Sequence, residues 1–254
     1  MIISSRYLSL YFYIPNTRFG CSLLKSTKGK NRTVKLSPKP FPIVGFRGLY
    51  KLTSHLDPNL GMTYVLIMHL SPTHKSALVE ILQPKTTMRV FKEKNGMSVK
   101  PNCVYVIPPN SFMSLVDGHL KVARRPITSL GNFAVDYFFN ALASIYKNNS
   151  IGVILSGTAT DGTLGLKAIK ANGGITFAQD HSPKFSGMPK SAYESGYADF
   201  ILPPEEIAKE LALLMKFPNA SNSARKRTWH YRSVYLLPTW IPMQLKKPGL
   251  VSIH

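Results

Sequence analysis

One stretch limits what this chain can fold into more than any other. Ile151-Gly152-Val153-Ile154-Leu155 is a short apolar run. It passes into Ser156-Gly157-Thr158-Ala159-Thr160-Asp161-Gly162-Thr163, and a helical pattern follows over 164–171. A buried run, a glycine-bearing turn and a helix make the first half of a βαβ unit. The turn lies at the carboxyl end of the strand, where open α/β sheets place their chemistry. It holds one carboxylate, Asp161. An aspartate just before a helix is also a favoured cap, and on spacing alone that is its commoner role.

The same grammar recurs along the chain. Residues 41–45 form a short apolar run after prolines, consistent with a first strand. Residues 62–68 read as a fully buried strand with His69 at its carboxyl end. Pro72 breaks the turn, and 74–83 is an amphipathic helix with Leu78, Ile81 and Leu82 on one face. Short strands follow at 88–91, 96–99 and 103–107. Asp117-Gly118 then joins 112–116 to 119–122 as a hairpin. A helix is expected over 133–146, a strand over 175–178, a helix from Pro189 to Ser195, and a strand over 199–202. Pro203-Pro204-Glu205-Glu206 opens a last helix, with proline and acids where the helix dipole favours them.

Strands alternating with helices predict an α/β fold with a mostly parallel sheet. In such a sheet all strands end on one edge, so His69 and the Asp161 turn can meet there. A histidine with a carboxylate behind it is the base-and-orienter half of a nucleophilic triad. A strand-end histidine satisfied by its neighbours is the plainer alternative.

Charge divides the chain. The formal net charge is +20, but residues 1–40 hold eight Lys/Arg and 217–254 hold six, with no acid in either. The middle, 41–216, carries 18 basic and 12 acidic residues. The high basicity therefore belongs to the ends, where nucleic acid or an anionic membrane is the partner class that such charge suits. Residues 1–40 show no sustained period and read as a basic, disordered arm; 217–254 read as a basic tail without a recognisable element. The apolar N-terminus is interrupted by Arg6 and serines and lacks a small-residue cleavage site, so it reads poorly as a signal peptide. Cys21 and Cys103 have neither metal-ligand spacing nor a disulfide framework, which fits a reducing, cytoplasmic compartment. No run approaches transmembrane length.

Five stretches together carry a resemblance. They are Phe41-Pro42-Ile43-Val44-Gly45, His69-Leu70-Ser71-Pro72-Thr73-His74-Lys75-Ser76, Val104-Tyr105-Val106-Ile107-Pro108-Pro109-Asn110, the turn from Leu155 to Gly165, and Gly187-Met188-Pro189-Lys190-Ser191-Ala192. In this order they resemble the catalytic domain of the protein-glutamate methylesterases of bacterial chemotaxis (the CheB type), over about residues 41–216. The form found in methylesterase–methyltransferase fusions is the most similar. The resemblance implies a doubly wound α/β sheet with an inserted β-hairpin. It implies hydrolysis of glutamate methyl esters on the cytoplasmic helices of chemotaxis receptors, with no metal and no cofactor. His69 matches the general base, Asp161 the carboxylate that orients it, and Thr158 lies near the backbone that holds the oxyanion.

The chain departs from the pattern at one place. The family's nucleophile is a Ser in a glycine-rich loop directly after the strand matching Ile43-Val44-Gly45. Here that place reads Gly45-Phe46-Arg47-Gly48-Leu49-Tyr50, with no Ser, and the segment to Gly61 is several residues short. No nucleophile is identified. Ser54, Ser71 and Thr160 are the nearest stand-ins, and Ser156 belongs to the turn without being the family nucleophile. The shortened segment also predicts thin cover on one sheet face and a marginal fold. Three functions follow: an esterase with a displaced or missing nucleophile, a non-catalytic receptor-binding relative, or a basic interaction protein acting through its ends.

Overall fold

A computed structural model describes residues 7–13, 46–68, 78–92, 94–108, 110–125 and 133–216. Its centre is a seven-stranded sheet in the order β3-β4-β2-β1-β7-β8-β9. The strands are β1 (Tyr7–Tyr13), β2 (Thr63–Met68), β3 (Arg89–Lys92), β4 (Cys103–Val106), β7 (Ser150–Gly157), β8 (Ile175–Gln179) and β9 (Phe200–Leu202). All neighbours run parallel except β1, which is antiparallel to both β2 and β7. Strands β2, β7 and β8 are buried along their whole length. That burial explains their continuous apolar character, since helices cover both faces of such a sheet.

On one face, α3 (Ala134–Tyr146), α4 (Thr163–Ala171) and α5 (Gly187–Glu194) close a core with Val65, Ile67, Tyr105 and Ile154 of the sheet. The hairpin β5 (Ser111–Val116) and β6 (His119–Arg124) adds Met113, Leu115 and Leu120 to the same core. Its turn is Asp117-Gly118, both at positive φ (49° and 73°), the geometry that two-residue hairpins need. The other face carries α1 (Phe46–His55) and α6 (Pro204–Lys216), which pack together and are joined by the Lys51–Glu205 ion pair. A short helix, α2 (Leu78–Leu82), with Leu78 and Leu82 buried, packs beside β3. The fold is a doubly wound α/β sheet with an inserted hairpin, as expected.

Three expectations need correction. The arm expected over residues 1–40 contains a strand, β1, and that strand takes the middle of the sheet. The segment Tyr-Leu-Ser-Leu-Tyr-Phe-Tyr is rich in β-favouring residues, and its pairing is decided by partners far along the chain. The strand expected at 96–99 is only a single bridge, Ser98 to His119, beside the hairpin. The shortened segment after Gly45 does not leave its sheet face bare, because Leu49, Leu52 and Leu56 of that segment are all buried. The first strand expected at 41–45, the segment 71–77 and the basic tail lie outside the described residues.

Candidate functional site

Strands β2 and β7 each pair with β1 in the antiparallel sense, so they run parallel to each other. Met68 lies opposite Leu8, and Gly157 lies opposite Tyr7. Both strands therefore end at one sheet edge, with the start of β1 between them. His69 follows Met68 directly and lies outside the described residues, as does Ser71. The expected convergence of His69 with the Asp161 turn is thus described as far as the two strand ends.

The turn itself is fixed in detail. Gly157 donates its N–H to the Phe185 carbonyl at 2.9 Å and bridges to Ser186, just before α5. Thr158, just past the end of β7, is exposed. Thr160 is also exposed, and its carbonyl accepts from the Thr163 N–H at 3.2 Å. Gly162 is the cap position of α4, at φ 92°. A Cβ there would come 2.5 Å from Val135 Cγ1, so the turn lies directly against α3. Only glycine serves both the left-handed backbone and that approach.

Asp161 is buried, at 3% exposure. It caps a helix, but not the one that follows it. Its Oδ2 accepts the Val135 N–H at 3.0 Å and its Oδ1 accepts the Asp136 N–H at 2.9 Å. These are two of the unpaired amides of the first turn of α3, which has no side-chain cap of its own. A second acid answers it. Asp136, in the first turn of α3, accepts the Gly165 N–H at 2.6 Å. The backbone N–H groups of Gly162 and Leu164 lie near enough to help lower its pKa. Each helix start is capped by the carboxylate that belongs to the other. Burial pushes the Asp136 carboxyl up to about 6; the Gly165 N–H pulls it down, and the charge of Asp161 raises it further.

Asp136 is the residue that sequence reasoning passed over. The signal was a lone carboxylate in Ala134-Val135-Asp136-Tyr137-Phe138-Phe139, an otherwise apolar helix start. Gly165 permits the pairing, since a Cβ on it would lie 2.3 Å from Phe139 Cβ.

Phe46, Arg47 and Gly48, the residues that follow Gly45 where the family pattern has its nucleophile loop, belong to α1. Ser54 lies further along α1, exposed, with its Oγ donating to the Lys51 carbonyl at 3.1 Å and 3.2 Å from His55 Nδ1. Ser156 is buried within β7. Among the described residues, no group of three His, Cys, Asp or Glu side chains is placed to hold a metal ion. No helix among them is long and apolar enough to cross a membrane.

Comparison with known proteins agrees with this geometry. The family model described as CheB methylesterase matches residues 43–211. A protein-glutamate methylesterase/protein-glutamine glutaminase of Thermotoga maritima is 32% identical over 176 residues, covering 67% of this chain and 51% of the relative. A protein of the same description from Moorella thermoacetica is 33% identical over 178 residues, covering 67% of this chain and 42% of the relative. The chain thus spans about half the length of the curated relatives it matches. The crystal structure of the Thermotoga maritima CheB methylesterase catalytic domain superposes with a TM-score of 0.59 at 30% identity, covering 66% of this chain and 92% of that one. The shared fold, the strand-end turn with its buried carboxylate, and the extent of the match give one conclusion: this chain belongs to the CheB methylesterase family.

Proposed function

We propose that the chain is a protein-glutamate methylesterase-type domain that engages methyl-esterified glutamates on chemotaxis-receptor helices in the cytoplasm but hydrolyses them weakly or not at all. In this reading His69 is the general base and Asp161 holds its imidazole in the productive tautomer. Thr158 lies beside the backbone that would face the oxyanion. Family membership and the common edge of β2 and β7 support the assignment. What carries the impairment is the absence of any Ser between Phe41 and Thr53, with Phe46–His55 folded as α1.

The chemistry follows from that gap. In a triad the base takes a proton from a serine hydroxyl, which attacks the ester carbonyl, and returns it to the departing methanol. Without the hydroxyl, His69 has only water to activate. The water oxygen would bond to the carbonyl carbon, the C–O bond to methanol would break, and the imidazolium would return the proton. Losing the nucleophile of such a triad leaves a residue of about 10³–10⁴ over water, from donors and binding alone.

Methanol release from methyl-labelled receptor membranes tests this directly. The expected rate is at or near background, with receptor binding retained. A serine labelled covalently by a fluorophosphonate, or turnover abolished by His69→Ala at the rate of an intact family member, would refute the impairment.

A further inference from the structure

The two carboxylates at the heads of α3 and α4 form a closed loop of contacts. Asp161 spans two amides of α3, one of them the N–H of Asp136 itself. Asp136 in turn accepts the N–H of Gly165, in the first turn of α4. Neither first turn can shift without loosening bonds to the other.

A helix start needs no buried acid for its own sake. Serine, threonine or asparagine caps it as well. Asp136 is only 8% exposed and lies close to a second carboxylate, a combination that opposes its ionisation. What a carboxylate adds is two oxygens with several acceptor positions and no donor to turn against the N–H groups at the joint between turn and helix. The cramped approach at Gly162 and Gly165 leaves the turn no alternative seat.

We propose that Asp136 is a positioning residue: by holding the Gly165 amide while its own N–H is held by Asp161, it sets the orientation from which the Asp161 carboxylate supports His69. This rests on the reading that Asp161 stands behind His69.

The test reads the His69 imidazole by NMR in the full chain, with the signal assigned through His69→Gln. A carboxylate partner raises a histidine pKa, so Asp161→Asn should lower it by about one unit. Asp136→Asn halves the acceptor oxygens and brings an NH₂ donor up against the N–H groups at the head of α4, so it should lower the His69 pKa by at least half as much. In the Asp161→Asn background the same change should do nothing, because Asp136 acts through Asp161; a direct charge effect would persist there. If Asp161→Asn lowers the His69 pKa and Asp136→Asn alone leaves it in place, the positioning role is wrong. If Asp161→Asn itself changes nothing, the site reading falls, and this inference falls with it. Amide exchange in the unaltered chain gives a second reading that needs no variant. Val135, Asp136 and Gly165 should be protected to the same degree, as one opening unit. Independent protection of Val135 and Gly165 would overturn the mutual grip.

Discussion

Replacing Asp136 by Asn should change how stability responds to pH. The carboxyl stands at about 6 in the fold against 3.8 as a free side chain, with burial as the main cause. Two units correspond to about 3 kcal/mol, at 1.36 kcal/mol per unit. The sign follows from proton binding. Between the two values the folded chain holds a proton that the unfolded chain has lost. The stabilisation is therefore complete below about pH 4 and is lost as pH rises through about 6. Asp136 is nearly buried, so solvent screening takes little from this figure. The assay is urea unfolding of wild type and Asp136→Asn from pH 4 to pH 7.5. Groups common to both, such as Glu205, whose pKa is lowered by its Lys51 partner, cancel in the difference. The amide's poorer fit to its neighbours adds an offset that does not vary with pH. Wild type should lose about 3 kcal/mol relative to the variant as pH rises across that range. A difference that stays flat, or that moves in favour of wild type, would refute the argument that Asp136 is held in the fold against its ionisation.

Other substitutions probe the packing around the site. Gly165→Ala drives a methyl into Phe139 and should cost upwards of about 2 kcal/mol in chemical denaturation, with α3 and α4 forced apart. Leu52→Ala empties a fully buried position on α1 and should cost about 2–5 kcal/mol; a loss under 1 would mean that α1 does not cover its sheet face. Lys51→Met removes an ion pair whose lysine is more than a third exposed, so thermal unfolding should show a change within about 1 kcal/mol. Gly118→Val puts a β-branched side chain at φ 73° and should destabilise the hairpin by about 1–2 kcal/mol, read as faster exchange of the β5 and β6 amides.

Much of this fold was legible because its signals are local. The apolar runs of β7 and β8, the Asp117-Gly118 turn and the proline-and-acid start of α6 each announce themselves within a few residues. The hairpin and the strand-end turn were found from such signals. What escaped was decided over distance. β1 is a short aromatic segment inside a basic arm, and nothing within it reveals that β2 and β7 leave a gap between them. Asp161 has the spacing of a cap for α4, yet its oxygens go to α3, because Gly162 turns the chain and brings α3 alongside. Asp136 looked like one polar position in an apolar helix until α4 was seen to begin beside it. The absence of a serine after Gly45 was plain in the sequence, whereas the three buried leucines of that segment needed the other side of the core to show their purpose.

The central place of β1 also bears on how the chain assembles. Its partners lie at 63–68 and 150–157, so β1 is paired on both sides only after β7 has been made. Closing loops of that length is entropically costly before any contact rewards it. Until β1 docks, β2 and β7 present open backbone edges, and unpaired edges invite association with other chains. The sheet therefore has a slow seam at its middle. Refolding should show an early phase for the α3–α4 half and a later one for β1. The yield of folded protein should depend more on chain concentration during synthesis than on the stability finally reached.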